Sequence, residues 1–289
     1  MNMDFRLEYI SKLFEKTSKK RIENYVISRI WHLLSDLEVK FIPQQYVKRN
    51  NEKYALTDLY LPQIGLHIEI NEPPHYSSEE RIEIDKKRRE EIENKTNHFV
   101  LEVDCRESLE NIHERIDFIV KTIREKVHQK RIEQNFIPWG NGSEFTPEYH
   151  KNKGFLKLKD EPCLRTIDDI CALFDAKVPM RGYLRQGGVV HPSQKDLLIW
   201  WPIESNRLWD NEILENGDFI CERHRDLEKR KSHVNGVVIN NHKRAVFFCN
   251  TDNLGFKFYR FKGIYQIDKD KTKPETGIIW KRIDNELKL

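Results

Sequence analysis

Long hydrophobic runs are missing from this 289-residue sequence. No apolar stretch approaches the roughly 20 residues that a membrane-spanning helix requires. The opening residues, Met1 to Phe14, are charged and lack the apolar core of a secretory signal, so a cytoplasmic protein without membrane attachment is expected. Paired cysteines are missing too. Cys105, Cys163, Cys171, Cys221 and Cys249 are odd in number, widely spaced and form no C-x-x-C, which excludes a disulfide framework and a zinc knuckle and predicts reduced structural thiols. Internal repeats and low-complexity tracts are absent, which excludes a solenoid or a disordered array. An excess of one charge is also lacking: the net charge is +3. By itself that neither marks nor excludes a nucleic-acid partner. Acidic and basic residues nearly balance up to Ile137, and the positive excess lies after it.

The sequence does have size and aromatic content enough for two packed cores, at 289 residues with 11% aromatics. Apolar residues at Ile22, Val26, Ile30 and Leu33 recur at helical spacing, so one or two helices open the chain between Phe5 and Leu34. Val39 to Tyr46 and Tyr54 to Leu61 read as extended. Gly65 to Asn71 alternates apolar Leu66, Ile68 and Ile70 with polar His67, Glu69 and Asn71, the pattern of a half-buried strand. A very polar helix (Ser78 to Lys95), a strand (Phe99 to Val103) and a long helix (Glu107 to Lys130) complete an α/β first half. Pro138-Trp139-Gly140-Asn141-Gly142-Ser143, followed by Thr146-Pro147, is rich in turn formers and sets the domain boundary. Beyond it lies a short helix, Ile167 to Phe174, with Thr166 as its N-cap. Strand-like runs follow at Asp196 to Ile203, Gly236 to Asn240, Arg244 to Cys249, Phe256 to Ile267 and Gly277 to Ile283. A mainly antiparallel curved sheet or barrel is expected there.

Chemistry concentrates between Tyr54 and Asn71. Two strands joined at Pro62-Gln63-Ile64-Gly65 form a hairpin, and with Gln63-Ile64 as its loop, residues whose numbers sum to 127 face each other. Asp58 then opposes Glu69. Like charges in that position repel, and a divalent cation between them removes the repulsion. Hard carboxylate oxygens suit Mg²⁺, which takes one or two protein carboxylates and keeps several waters. Such an ion serves phosphodiester hydrolysis by stabilising charge on the phosphoryl oxygens and acidifying a water. Asn71 emerges on the same face as Glu69 and can orient water or phosphate, but cannot act as a base. His75 is a candidate to protonate a leaving group or bind phosphate, and Glu23 on the opening helix is a candidate third carboxylate. Asp85 is a further catalytic candidate, and with Arg88 it has the spacing of a local helix ion pair.

In the second half, Trp200, Trp201 and Trp209 crowd one short segment. Aromatic planes with an amide between them are what a flipped-base pocket needs. Trp200 or Trp201 with Trp209 forms the candidate sandwich, Asn211 the candidate reader of the base edge, and Asp210 a weaker one. If Trp200 and Trp201 alternate across a strand, one of them is core. Arg181, Arg185, Lys195 and Arg207 are candidate contacts to the DNA backbone.

The arrangement D-x10-E-x-N (Asp58, Glu69, Asn71), with a preceding Glu-bearing helix and a following N-E-P-P-H…D-x-x-R, resembles the PD-(D/E)XK nucleases, nearest the very-short-patch repair branch. Asp58 and Glu69 match the metal ligands of that motif, whereas Asn71 stands where the usual lysine would be. Over the full length, this half followed by an aromatic-rich β module is similar to the PvuRts-type modification-dependent restriction endonucleases. The resemblance implies a PD-(D/E)XK nuclease core of α/β (α+β) type over residues 1–137, with helices flanking a mixed sheet. It places a linker at 138–154 and a mainly β SRA-like domain over 155–289. It further implies Mg²⁺, double-stranded DNA containing modified cytosine (5-hydroxymethylcytosine or its glucosylated form), base flipping, cleavage at a distance and a homodimer. Two alternatives fit the same residues: a nuclease triggered by mismatch or DNA structure, and a non-catalytic reader with a degenerate nuclease domain.

Overall fold

The computed structural model describes residues 4–50, 53–72, 79–140, 142–177, 187–240 and 242–289. The chain divides into two compact units, Met1–Asn141 with Asp252–Phe256, and Gly142–Thr251 with Lys257–Leu289. Among the described residues no helix is long and apolar enough to cross a membrane, and all five cysteines are free thiols.

In the first unit, α1 (Phe5–Thr17) starts at Asp4, whose Oδ1 accepts from the Arg6 N–H at 2.7 Å. The second helix, α2 (Arg21–Leu34), buries Val26, Ile27, Ile30 and Leu34, and Glu23 lies in phase with them on the same stripe. Four strands follow among the described residues: β1 (Ile42–Lys48), β2 (Tyr54–Leu61), β3 (Leu66–Asn71) and β4 (Phe99–Asp104), in the order β1-β2-β3-β4. The first two pairings are antiparallel, and β3–β4 is parallel. Helix α3 (Glu79–Thr96) makes the crossover that a parallel pair demands. Helix α4 (Leu109–Ile132) is capped by Ser108 and buries Ile116, Ile119, Val120, Ile123 and Val127. These residues pack with the α2 stripe against Leu59, Leu61, Leu66, Ile68, Ile70 and Val103 of the sheet.

The strand β3 departs from the half-buried pattern, because His67 and Glu69 are buried as well as Leu66, Ile68 and Ile70. Its central position explains this. A second cluster, Val47, Ala55, Ile92 and Val100, brings α3 onto the sheet. Alternation therefore marks the two faces correctly without showing that both are covered.

The second unit opens with α5 (Pro147–Lys153), capped by Thr146, and the short strands β5 (Phe155–Lys157) and β6 (Cys163–Leu164). Helix α6 (Ile167–Leu173) begins in a capping box between Thr166 and Asp169. Next come β7 (Gly188–Val190), β8 (Leu197–Trp200), β9 (Trp209–Leu214), β10 (Phe219–His224), α7 (Leu227–Asn240), β11 (Lys243–Thr251), β12 (Lys257–Ile267), β13 (Ile278–Asp284) and β14 (Glu286–Lys288). The main sheet runs β7-β8-β11-β12-β13-β10-β9, with β6 paired to β12. Every pairing in it is antiparallel except β8–β11. Register shifts at Val246/Phe247 and Ile264/Tyr265 bend it. Gly263 (φ 105°) serves that bend, for a Cβ there would stand 2.5 Å from the Asp284 carbonyl oxygen. Alternate residues of β11 feed two cores: Ala245 and Phe247 pack with α6, and Val246 and Phe248 with Val234 of α7.

Gly236 to Asn240 corrects the sequence reading, since it is the end of α7 rather than a strand. The Val-Val-Ile run has strand propensity, but Val234, Val237 and Val238 recur at helical spacing and meet one core together. The Asp226 side chain accepts from the Lys229 N–H at 2.9 Å at the start of this helix. Packing overrides propensity.

Candidate functional site

The β2–β3 register pairs Leu59 with Ile68, Tyr60 with His67 and Leu61 with Leu66, all summing to 127. The connection is a 3₁₀ turn, Pro62–Ile64, closed by Gly65 at φ 58°, rather than a two-residue loop. A Cβ on Gly65 would sit 2.9 Å from the His98 ring. One step beyond Leu59, the Asp58 side chain takes over from the backbone ladder, and its Oδ2 accepts from the Ile70 N–H at 2.8 Å. Asp58 is thereby fixed beside the segment that carries Glu69.

Glu23 and Asp58 share a donor: Gln44 Nε2 lies 2.9 Å from Glu23 Oε1 and 3.1 Å from Asp58 Oδ1. Gln44 does this from a left-handed backbone (φ 53°) inside β1, a conformation that costs a non-glycine residue about 1–2 kcal/mol. Lys20 Nζ stands 2.7 Å from Glu23 Oε2 and 4.0 Å from Asp58 Oδ1. Burial raises the Glu23 carboxyl above its usual range, opposed by Lys20 and reinforced by the Asp58 charge.

Glu69 is 7% exposed. Arg88 Nη2 donates to both of its oxygens, at 3.0 and 2.9 Å, and to the Leu56 carbonyl. Arg88 thus reaches from α3 across to β3. Burial pushes the Glu69 carboxyl up to about 8; Arg88 opposes the rise, and the Asp58 and Glu102 charges add to it. Glu102, its neighbour on β4, is paired to Arg89 at 2.8 Å. Asn71 is half-buried at the end of β3, opposite Asp104. His67, stacked on Tyr60 and bonded to Thr57 (2.9 Å) and His98 (3.1 Å), is driven down to about 3 by burial, so it stays neutral. His75 lies outside the described residues, and Asp85 lies in α3 with its side chain outside them.

Among the described residues no three His, Cys, Asp or Glu side chains are grouped to hold a metal ion on their own. Two hard carboxylates remain, which is what a largely hydrated Mg²⁺ takes. The donor set fits that ion: Glu69 is a buried acid that Arg88 leaves short of positive charge, and an ion held by Asp58 and Glu69 would make up the deficit.

In the second unit, Trp200 and Trp201 face opposite cores, at 5% and 3% exposure. Trp209 is half-buried, with the rings of His224 (5.0 Å) and His233 (4.8 Å) edge-on to it. Asn211, on the same strand, is buried. Its Nδ2 donates to the Ile203 carbonyl at 2.8 Å, while its buried Oδ1 has no hydrogen-bond partner among the described residues. Asp210 is taken up by Arg223 (2.7 Å) and Arg225 (3.7 Å). Lys195 and Arg207 are exposed; Arg181 and Arg185 lie outside the described residues.

Opposite Asn211 in the β9–β10 register stands Glu222. It is buried and receives bonds from Arg244 (3.0 Å), His233 (3.2 Å) and Trp280 Nε1 (2.9 Å). Burial works to raise its carboxyl, but these partners hold it below the ordinary value. Arg244 lies over the Trp280 and Trp200 rings at 3.8 and 4.5 Å. A single acid closing the apolar run Phe219-Ile220-Cys221 was the available signal.

Residues 7–139 match the family described as restriction endonuclease PvuRts1 I-like, N-terminal. Residues 149–289 match the SET and RING associated domain. No curated protein matches the chain. Among solved structures, the 5-hydroxymethylcytosine-specific restriction enzyme AbaSI is similar at 33% identity and a TM-score of 0.68, over 98% of this chain and 97% of that one.

Proposed function

This chain belongs to the PvuRts1 I-like restriction endonucleases, and from that membership we propose that it cuts double-stranded DNA carrying 5-hydroxymethylcytosine or its glucosylated form. One observation carries the reading: Asp58 and a buried, charge-deficient Glu69 come together on adjacent strands, within a chain that resembles AbaSI end to end.

In this reading Asp58 and Glu69 hold Mg²⁺, Asn71 orients the attacking water, and His75 assists at the leaving group. Gln44 keeps Asp58 and Glu23 together, and Arg88 holds Glu69 in place. The bound ion would stabilise charge on the phosphoryl oxygens and acidify the water. In the SRA unit the modified base is flipped onto Trp209, where the free Oδ1 of Asn211 meets a donor on the base. Glu222 and Arg244 form the floor that keeps that strand pair rigid. Cutting occurs at a distance from the base, and a homodimer brings two nuclease units to the two strands of cytoplasmic DNA.

The test is a comparison of unmodified, methylated, hydroxymethylated and glucosylated duplexes in Mg²⁺. Cutting is expected only of the hydroxymethylated and glucosylated forms; equal cutting of all four would refute the substrate assignment.

A further inference from the structure

Among the described residues, further acids stand close to Asp58 and Glu69. Glu23 and Asp58 share the Gln44 amide, Glu69 feels the Asp58 charge, Glu102 and Asp104 stand on the strand beside it, and a DNA phosphate brings another negative charge. Three of the nearby cations are already committed. Arg88 Nη2 serves both Glu69 oxygens and the Leu56 carbonyl, Arg89 pairs with Glu102, and Arg106 pairs with Asp104. Asn71, at the end of β3, contributes no charge.

Lys20 differs from these three. It sits in the turn between α1 and α2, which is held by Lys20 N–H to the Thr17 carbonyl (2.9 Å) and Asn24 N–H to the Lys20 carbonyl (2.8 Å). Its side chain is 49% exposed, yet its Nζ is tethered at 2.7 Å to Glu23, itself buried and held by Gln44. The tether leaves the ammonium 4.0 Å from Asp58 Oδ1. An ammonium has three N–H donors, and the bond to Glu23 uses one. A half-exposed cation pinned next to a metal ligand is suited to a non-bridging phosphate oxygen.

We propose that Lys20 is a catalytic residue, supplying from the helical turn the point charge on the scissile phosphate that β3 does not provide. This rests on the nuclease reading above. The full chain is tested as Lys20→Met and Lys20→Arg in three measurements: single-turnover cleavage of hydroxymethylated DNA in Mg²⁺, binding of that DNA, and Mn²⁺ affinity without DNA. Lys20→Met is expected to cleave about 100-fold more slowly, the typical loss when one charge-stabilising donor is removed. It should keep DNA binding and hold Mn²⁺ at least as tightly as the parent, because a cation beside Asp58 has gone. Lys20→Arg should recover part of the lost rate. Cleavage by Lys20→Met within about threefold of the parent rate, against that 100-fold expectation, would overturn the proposal. A parallel loss of Mn²⁺ binding, placing Lys20 in the support of Glu23 and Asp58, would also overturn it, as would failure of Lys20→Arg to recover any rate. Absence of cutting by the parent protein would instead overturn the nuclease reading.

Discussion

Replacing Glu69 by Gln should make the metal-free protein less sensitive to alkaline pH, by an amount set by the burial of this side chain. The carboxyl stands at about 8 in the folded protein against an ordinary 4.5. The folded state therefore keeps a proton that the unfolded chain releases, and stability falls as pH rises through that interval. Each pKa unit corresponds to about 1.4 kcal/mol, so the full rise amounts to about 5 kcal/mol, lost between about pH 4.5 and 8 and level above it. Glu69→Gln keeps the shape and removes the titration. Urea denaturation in EDTA, from pH 5 to 8.5, should show the parent protein losing stability relative to the variant across that window. Saturating Mg²⁺ should restore the parent and leave the variant unchanged. Parallel stability curves for the two proteins in EDTA would refute the burial argument, and with it the reason for placing a cation at Glu69.

Three further substitutions test other parts of the account. Gln44→Ala and Gln44→Gly both remove the amide between Glu23 and Asp58, so both should slow cleavage. The Gly variant should be the more stable by about 1 kcal/mol, because it relieves the left-handed backbone; an Ala variant with full activity would show that the amide does no positioning. Glu222→Ala leaves Arg244 buried without its carboxylate and should cost about 3–5 kcal/mol in urea denaturation; a loss below about 1 kcal/mol, far under that range, would contradict the network. Trp209→Ala should reduce preference for hydroxymethylated over unmodified DNA by roughly tenfold or more, the scale of one base–aromatic stack, measured by filter binding; an unchanged preference would place the pocket elsewhere.

Much of the first unit was legible because periodicity and hairpin arithmetic depend on local geometry. The register of Leu59 to Leu61 against Leu66 to Ile68 followed from the turn position, even though Pro62–Ile64 forms a 3₁₀ turn, since Gly65 returns the chain at the same step. Glu23 was readable, because it shares the helical phase of Val26, Ile27 and Ile30. Arg88 and Gln44 were not readable. The first reaches a strand 19 residues back, and the second depends on a backbone angle that no glycine or asparagine announces. In the second unit, strand positions came from β-branched and aromatic runs, which also misled at Gly236 to Asn240, where tertiary packing selects a helix. Trp200 ends β8 and Trp201 follows it, and the two pack into different cores. Glu222 acquires its setting from strands and a helix distant in sequence.

The most direct test compares the parent protein with Asp58→Ala on a duplex bearing hydroxymethylcytosine, each with Mg²⁺ and with EDTA, while DNA binding is followed in parallel. Strand scission is predicted for the parent with Mg²⁺ alone, with Asp58→Ala binding the duplex and leaving it intact. Scission by Asp58→Ala at the parent rate, or by either protein in EDTA, would contradict a metal-dependent nuclease centred on Asp58 and Glu69.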